Sequence, residues 1–144
     1  MSEPRSTEPN PDFTGVVRSV VVLVRDSDGR VLLASPSKSG PWSCIGGGVV
    51  GDEDLANAAI RFAREDCGLS VEVGEVLAEL SGEQYRVLYE CGADVTYQAM
   101  VLSASLIAAG DPAPMLTRWF TPTELASLFV DEFAGAALND LGLR

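Results

Sequence analysis

Histidine is absent from this sequence of 144 residues. Its absence excludes a Ser-His-Asp triad, an imidazole general base and a metal site with histidine ligands. The three cysteines, Cys44, Cys67 and Cys91, are odd in number and lack the paired CxxC spacing of a zinc site. We therefore expect the cysteines to be reduced and structural, and we expect any acid-base or metal chemistry to depend mainly on carboxylates.

Basic residues are also scarce. Ten lysines and arginines stand against 21 aspartates and glutamates, which gives a net charge of −11 at pH 7. Such a surface repels phosphate backbones, so the composition argues against bulk binding to nucleic acid or to anionic membranes. A substrate that carries phosphate would need a divalent cation or a local arginine to offset this charge.

Long apolar runs are missing although 47% of the residues are hydrophobic. The apolar residues fall in short runs, which excludes a transmembrane helix of ordinary length. The N-terminus is polar and rich in proline, without the apolar segment of a signal peptide, so we expect a cytoplasmic protein. Residues 1–12 are predicted to be a flexible arm, and residues 13–144 are predicted to form one domain.

The most informative stretch runs from Gly46 to Leu69, where three consecutive glycines precede an acidic cluster and a charged helix. Glycines tolerate positive φ and let the backbone approach a ligand, so they predict a loop that presents backbone groups. We predict that the helix begins after Asp54, whose side chain can cap the first turn. Gly68 is predicted to end the helix as its C-cap.

The predicted helix carries an apolar face and two adjacent carboxylates. The apolar face follows the i, i+3, i+4 spacing through Leu55, Ala58, Ala59, Phe62 and Ala63. Glu65 and Asp66 can converge on one site, and paired carboxylates beside an open loop suit Mg²⁺ or Mn²⁺. The alternative is a solvated face on which Arg61 pairs with Glu65 at i, i+4. Asp66 weakens that alternative because a carboxylate within an apolar face is costly unless it is paired or binds a metal.

The flanking sequence predicts a mixture of strands and helices. The β-branched run over residues 14–25 predicts a strand buried on much of both faces, joined by a turn into a hairpin with the strand at residues 31–35. Two later strands are joined by a turn at residues 91–94 into a second hairpin. The predicted later strands cover residues 69–80, 85–91, 96–107 and 118–120, and the predicted later helices open at residues 121–125 and span residues 131–141.

The central stretch resembles the signature of the Nudix hydrolase superfamily, G-x5-E-x7-R-E-U-x-E-E-x-G-U, in which U is an apolar residue. The signature residues align with Gly47, Glu53, Arg61, Phe62, Ala63, Glu65, Asp66, Gly68 and Leu69. The leading strands, the GPW before the glycines and the RWFTPTEL segment also resemble family elements in their usual order. The resemblance covers roughly residues 16 to 141.

This resemblance implies an α/β fold, a Nudix-like α/β/α sandwich with a central mixed sheet. It also implies hydrolysis of a nucleoside diphosphate linked to another moiety, which is a small nucleotide-type substrate. By position in the signature, the Gly46 carbonyl, Glu65 and Asp66 would hold Mg²⁺ or Mn²⁺, and Gly47 and Gly48 would contact substrate. Glu53, Arg61 and Glu65 would be the catalytic residues, and a homodimer is possible for this fold.

Several positions depart from the family signature. Phe62 replaces a glutamate that often binds metal or activates water, and a phenyl ring can do neither. Asp66 is one methylene shorter than the usual glutamate. Val50 stands where a glutamate often follows the glycines, and Ile45 replaces the proline that commonly precedes them.

Three functional interpretations remain from the sequence. The first is a Nudix-type hydrolase with a reduced metal site and a base on another element, for which Glu79, Glu83 and Glu90 are candidates. The second is a catalytically inactive Nudix-fold module that binds a nucleotide or a partner. The third is an unrelated α/β protein whose helix is only amphipathic. Phe62 favours the second interpretation, whereas Arg61, Glu65 and the glycines favour the first.

Overall fold

The computed structural model describes residues 10–110 and 113–144, so residues 1–9 of the predicted N-terminal arm lie outside the described part. The chain alternates strands with helices in an α/β arrangement. In order, the elements are β1 (Thr14–Val24), β2 (Val31–Ser35), β3 (Ile45–Gly48), α1 (Leu55–Cys67), β4 (Leu69–Leu80), a 3-10 turn (Glu83–Tyr85), β5 (Arg86–Leu88), β6 (Asp94–Ala109), β7 (Leu116–Phe120), α2 (Pro122–Ser127) and α3 (Glu132–Asp140).

The main sheet is mixed and has five strands. Its order is β3-β1-β6-β4, and β5 also pairs with β6. Strands β1 and β6 are parallel and stay in register from Thr14 opposite Asp94 to Val24 opposite Ala104. The other pairings in this sheet are antiparallel. A separate antiparallel pair is formed by β2 and β7.

Alternate residues of β1 enter two different cores, one on each face of the main sheet. Val20, Val22 and Val24 pack with buried alanines of α1. Val21 and Leu23 pack on the opposite face with buried residues of α2 and α3. Successive side chains of a strand point to opposite faces, so a strand that is apolar throughout can fill both cores. The predicted α/β/α sandwich with a central mixed sheet is confirmed.

Helix α1 forms as its local signals predict. The Asp54 carboxylate accepts a hydrogen bond from the Asn57 backbone N–H at 3.2 Å, and Gly68 ends the helix at φ 67°. Ala58, Ala59 and Ala63 are fully buried. These small side chains let the helix lie close to the sheet. The residues beside the alanines in α1 therefore lie near β3.

Two predictions about the strands are wrong, one on the pairing of β1 with β2 and one on the glycine loop. Strands β1 and β2 do not form a hairpin ladder, since they share only the bridge between Arg25 and Val31. The two edges of β1 are instead taken by β3 and β6, and β2 pairs with β7. The glycines predicted as a loop also lie in a strand, with Gly46, Gly47 and Gly48 opposite β1.

The close approach of β3 to β1 explains one of these glycines. Gly46 has φ 148°, and a Cβ atom at this position would lie 2.0 Å from the Val20 carbonyl oxygen. Any side chain would therefore collide with the neighbouring backbone.

The later elements match their predictions more closely. The hairpin of β5 and β6 is confirmed, although β5 is short because Glu83–Tyr85 forms a 3-10 turn. Thr121 and Glu124 make a reciprocal capping box at the start of α2. Asp131 caps α3 by accepting a hydrogen bond from the Ala134 backbone N–H at 2.8 Å.

Candidate functional site

An ion pair connects the loop after the glycines to helix α1. Arg61 Nε and Nη2 donate to the two carboxylate oxygens of Glu53 at 2.7 and 2.8 Å. The same carboxylate accepts a longer hydrogen bond, 3.4 Å, from the Val50 backbone N–H. The side-chain bond from Arg61 lowers the pKa of Glu53 below its usual value. This arrangement braces the loop against the helix, because a bidentate pair fixes the orientation of both groups.

Phe62 occupies the position of the missing glutamate and lies directly against the glycine strand. A Cβ atom at Gly47 would come within 2.6 Å of the Phe62 ring. The Arg61 guanidinium lies over the ring, with its carbon atom 4.4 Å from the ring centroid. An arginine over an aromatic face is attracted by the ring quadrupole. The ring therefore contacts both the glycine strand and Arg61, and no carboxylate is present at this position.

The two adjacent carboxylates of α1 have different surroundings. Asp66 is 8% exposed and lines a cavity, as its place within the apolar face predicted. Glu65 is mostly exposed, with one oxygen 3.7 Å from Arg61 Nη1. The pairing of Arg61 with Glu65 that the solvated-face alternative predicted is thus present, alongside the stronger pair with Glu53.

The oxygen donors that the family signature identifies are of the type that a hard cation prefers. Glu65, Asp66 and the backbone carbonyl of Gly46 are all oxygen donors, and Mg²⁺ is commonly held by one or two carboxylates together with waters and substrate phosphates. Within residues 10–110 and 113–144, no group of three or more histidine, cysteine, aspartate or glutamate side chains is arranged to hold a metal ion. Asp66 and the Gly46 backbone line the cavity whereas Glu65 does not, so the residues present fit at most one ion that takes its other ligands from water and substrate.

A cavity of about 470 Å³ lies between the glycine strand and the N-terminal end of α3. The glycines, Phe62 and Asp66 line one end, and aromatic residues with Asp131 line the other. Its lining comprises Ser19, Val20, Val21, Ser43, Cys44, Ile45, Gly46, Gly47, Gly48, Phe62, Asp66, Val87, Tyr89, Tyr97, Asp131 and Phe133. This volume is within the usual range for sites that bind small molecules.

Ring contacts and hydrogen bonds hold the aromatic end together. The Tyr89 and Tyr97 hydroxyl groups are hydrogen-bonded to each other. Phe133 makes edge-on contacts with Tyr97, at 6.0 Å between ring centroids, and with Tyr85, at 5.3 Å. The Tyr85 hydroxyl donates a hydrogen bond to Asp140 Oδ2 at 2.6 Å, and this bond anchors the last turn of α3. Helix α3 therefore has a side-chain hydrogen bond at each end.

Cys44 lies in the cavity wall as an inert thiol. Burial raises the pKa of Cys44 to about 12, and the nearby negative charge of Asp131 adds to the effect. Reactive cysteines need a lowered pKa, so this thiol does not act as a nucleophile at neutral pH. The prediction that Cys44 is a structural residue is consistent with this environment.

The three glutamates considered as bases lie elsewhere. Glu79 accepts a hydrogen bond from Gln98 Nε2 at 2.6 Å, Glu83 pairs with Arg86 at 3.1 Å, and Glu90 is exposed. None of the three lines the cavity. A base supplied by one of them stays a prediction.

Sequence reasoning missed the aromatic end of the cavity and Ser19. The sequence predicts Asp131 only as the start of a helix. No regular spacing along the chain relates Tyr89, Tyr97 and Phe133 to one another. Ser19 interrupts an apolar strand, which is the one local sign that its position is unusual. In the part of the chain that the structure describes, no helix is long and apolar enough to cross a membrane.

Comparison with known proteins identifies relatives over most of the chain. The sequence model of the NUDIX domain matches residues 15–140. The CTP pyrophosphohydrolase of Escherichia coli (strain K12) is 39% identical over an alignment of 71 residues, and the match covers 44% of this chain. The match covers 53% of that protein, so the chain spans about half the length of the curated relative it matches.

Solved structures resemble the fold over a longer range. The MutT protein of Methanosarcina mazei Go1 is 20% identical with a TM-score of 0.66, and the match covers 89% of this chain and 93% of the other. A NUDIX hydrolase from Nitrosomonas europaea is 14% identical with a TM-score of 0.66, and the match covers 88% of both chains. At these identities, the likeness establishes the fold alone.

Proposed function

This chain belongs to the NUDIX domain family, and from that premise we propose that it binds and hydrolyses a nucleoside diphosphate linked to another moiety. Members of this family act on small nucleotide substrates and generally use divalent metal ions. The proposed ligand lies in the cavity, with its diphosphate towards the glycine strand and its nucleoside towards the aromatic end. The curated relative is a CTP pyrophosphohydrolase, which supports the class of reaction.

The braced box beside the cavity is the observation that carries the proposal. The bidentate bond between Arg61 and Glu53 fixes the loop after the glycines to α1, and Asp66 faces the cavity from the same helix. A catalytic site needs groups held in fixed orientation, and an ion pair with two hydrogen bonds supplies this. The backbone of Gly47 and Gly48 lies in the cavity wall, where it would contact phosphate oxygens.

The negative charge of the protein explains why a cation would be needed for binding a diphosphate. With a net charge of −11, the chain repels a diphosphate unless a cation offsets that repulsion. Asp66, Glu65 and the Gly46 carbonyl would hold one Mg²⁺ or Mn²⁺ ion. When bound, such an ion neutralises diphosphate charge and lowers the pKa of a bound water. Arg61 then keeps Glu53 and Glu65 oriented, and the ring of Phe62 excludes water from the space beside Gly47.

Phe62 favours a second candidate function, which is nucleotide binding without turnover. The ring fills the position of a carboxylate that family members use for metal binding or water activation, and the described residues hold no cluster of three carboxylates. Binding through the aromatic end of the cavity needs none of these groups. The two candidates share the cavity and differ only in whether the diphosphate bond is broken.

A hydrolysis assay with matched variants tests the proposal. The purified full chain is incubated with Mg²⁺ or Mn²⁺ and a panel of nucleoside triphosphates, nucleotide sugars and dinucleotides, and the released products are quantified. We expect slow metal-dependent turnover that Asp66→Asn removes, since this change keeps the side-chain shape but removes its charge. Asp52→Asn is the matched control, because Asp52 is exposed and outside the cavity lining.

The outcomes separate the two candidates. Turnover that Asp66→Asn does not alter would overturn the role of Asp66 as a metal ligand. Calorimetric binding of a nucleotide without turnover would replace the first candidate with the second, and the absence of both would overturn each of them. The cytoplasmic location and the homodimer stay predictions, and gel filtration with light scattering tests the homodimer.

A further inference from the structure

Strand β3 lies at an edge of the main sheet, where β1 is its neighbour on one side. In an antiparallel pair, residues alternate between those that bond to the partner strand and those that direct both their N–H and C=O groups away from it. An edge strand therefore presents every second residue's backbone groups to whatever lies beside the sheet. In β3 these groups belong to glycines.

The register decides which of the three glycines face outward. The Val49 backbone N–H donates a hydrogen bond to the Arg18 carbonyl oxygen of β1 at 2.8 Å, and the pairing continues without a shift along β3. Alternation then directs the N–H and C=O groups of Gly47 towards β1. The N–H and C=O groups of Gly46 and Gly48 point away from β1.

These outward groups lie in the wall of the cavity. A glycine has only backbone atoms, so Gly46 and Gly48 line the cavity with their backbones, and both are half-buried. Within the part of the chain that the structure describes, neither N–H group has a hydrogen-bond partner. Backbone N–H groups in a folded protein are nearly always paired, so two such donors beside a cavity indicate that a ligand or water completes them.

The spacing of the two donors suits a diphosphate. Two residues of a strand span about 6.6 Å, which is wider than the oxygens of one phosphate group and fits the oxygens of two neighbouring phosphates. The outward carbonyl of Gly46 lies between the two donors, where it would accept a cation bound to the same diphosphate. None of the described residues that line the cavity is a lysine or an arginine, so backbone donors and a cation are what this wall offers to phosphate.

We propose that the backbone N–H groups of Gly46 and Gly48 donate hydrogen bonds to two neighbouring phosphates of the ligand. This inference rests on the proposed function, because it assumes that the diphosphate lies against the glycine strand. The family signature implies Gly47 and Gly48 as the contacts, whereas the register replaces Gly47 with Gly46 as a donor. The two N–H groups orient the diphosphate, and the N–H of Gly47 stays bonded to β1.

Amide hydrogen exchange of the full chain, measured by NMR, tests the three glycines separately. Exchange rates are measured without ligand, with Mg²⁺ alone, and with Mg²⁺ and either inorganic pyrophosphate or CDP, ADP, GDP or UDP. Without a diphosphate, Gly46 and Gly48 should exchange rapidly and Gly47 slowly. A bound diphosphate should slow Gly46 and Gly48 about tenfold or more and leave Gly47 unchanged, so Gly47 is the internal control.

A pair of variants tests the same donor by affinity. Gly48→Pro removes the N–H group, whereas Gly48→Ala keeps it, and proline is tolerated on an edge strand where the N–H would point away from the partner. In calorimetry with Mg²⁺, Gly48→Pro should bind pyrophosphate and the tightest nucleotide about tenfold or more weakly than Gly48→Ala, because a hydrogen bond to a charged group is lost. The exchange measurement uses the wild type, so it decides the question if Gly48→Pro fails to fold.

The outcomes separate this inference from the proposed function. Slow exchange of Gly48 without ligand would overturn the inference, because its N–H group would then have a partner in the folded protein. Unchanged exchange of Gly48 when a nucleotide is bound, or equal affinities in two folded variants, would overturn the inference and leave the proposed function intact. Failure of the wild type to bind any of the four nucleotides would overturn both.

Discussion

The Nudix box of this protein has two parts that differ in how completely they keep the family pattern. The bracing part consists of the glycine strand, the pair of Glu53 with Arg61, and the C-cap at Gly68, and it is intact. The acidic part consists of Phe62, Glu65 and Asp66, which align with the acidic positions at the end of the family signature, and it lacks one carboxylate. The pair of Glu53 with Arg61 holds the loop against the helix without these residues, so the fold tolerates a change at an acidic position of the signature.

The largest effect is expected where the bracing part meets β1. Gly46→Ala would place a Cβ atom 2.0 Å from the Val20 carbonyl oxygen, at a φ of 148°. We expect a loss of about 3 kcal/mol or more in the free energy of unfolding, since backbone strain and overpacking add. Urea unfolding monitored by circular dichroism measures this loss.

Gly48→Ala is the matched control for that change. A Cβ atom at Gly48 would lie 3.6 Å from the nearest atom, a methyl carbon of Val17, which is an ordinary contact. We expect a change within about 1 kcal/mol. Equal losses in the two variants would show that β3 is not held as tightly against β1 as the structure indicates.

A smaller effect is expected at the contact between the two parts. Gly47→Ala would bring a Cβ atom to 2.6 Å from the Phe62 ring, so we expect it to cost about 1–3 kcal/mol in the wild-type background. In a Phe62→Ala background the same change meets no ring and should be tolerated. A double-mutant cycle by urea unfolding should give a coupling of about 1 kcal/mol or more. Additive effects would mean that Phe62 does not pack on Gly47.

The smallest effect is expected in the acid stability of the bracing pair. The pKa of Glu53 is lowered in the folded protein, chiefly by its hydrogen bonds from Arg61. The stability from this pair is therefore fully present above the unfolded pKa of about 4.5, and it is lost as the pH falls through the lower folded pKa. Glu53→Gln should reduce the slope of the free energy of unfolding against pH in this region. The reduction should correspond to the uptake of at most about one proton on unfolding.

Urea unfolding between pH 3 and pH 6 measures that slope. In an Arg61→Gln background, this slope should be nearly the same for glutamate and glutamine at position 53. The reason is that Arg61 is the main cause of the lowered pKa of Glu53. An unchanged slope in Glu53→Gln would show that the pair does not persist in solution.

The sequence predicts helix α1 in full because each of its signals is local. The cap at Asp54, the alanines of the buried face and the left-handed residue at Gly68 lie within one element and its two flanks. The ion pair of Glu53 with Arg61 also spans a short stretch, and the family resemblance implied its bracing role. Local hydrogen bonding and helical spacing are therefore sufficient for the bracing part of the box.

Strand partners and the composition of the cavity could not be predicted in the same way. Strand β2 pairs with β7, which is distant in the chain, although a turn sequence joins β2 to β1. The aromatic end depends on how α3 packs over β5 and β6, which brings Phe133 against Tyr97. The outward direction of the Gly46 and Gly48 N–H groups is likewise a property of pairing, because it follows from the register of β3 against β1. The contacts between these distant residues depend on strand register and on how the helices pack against the sheet. Local sequence patterns specify neither.

The most direct test of the central claim restores the missing carboxylate. That claim is that the bracing part is complete and that turnover is limited by Phe62. Initial rates of nucleotide hydrolysis with Mg²⁺ are measured for Phe62→Glu and for Phe62→Gln, which has a similar shape and no charge. The account predicts a rate at least about tenfold higher for Phe62→Glu than for Phe62→Gln, because a metal ligand or base is restored. Equal rates in the two variants would contradict it.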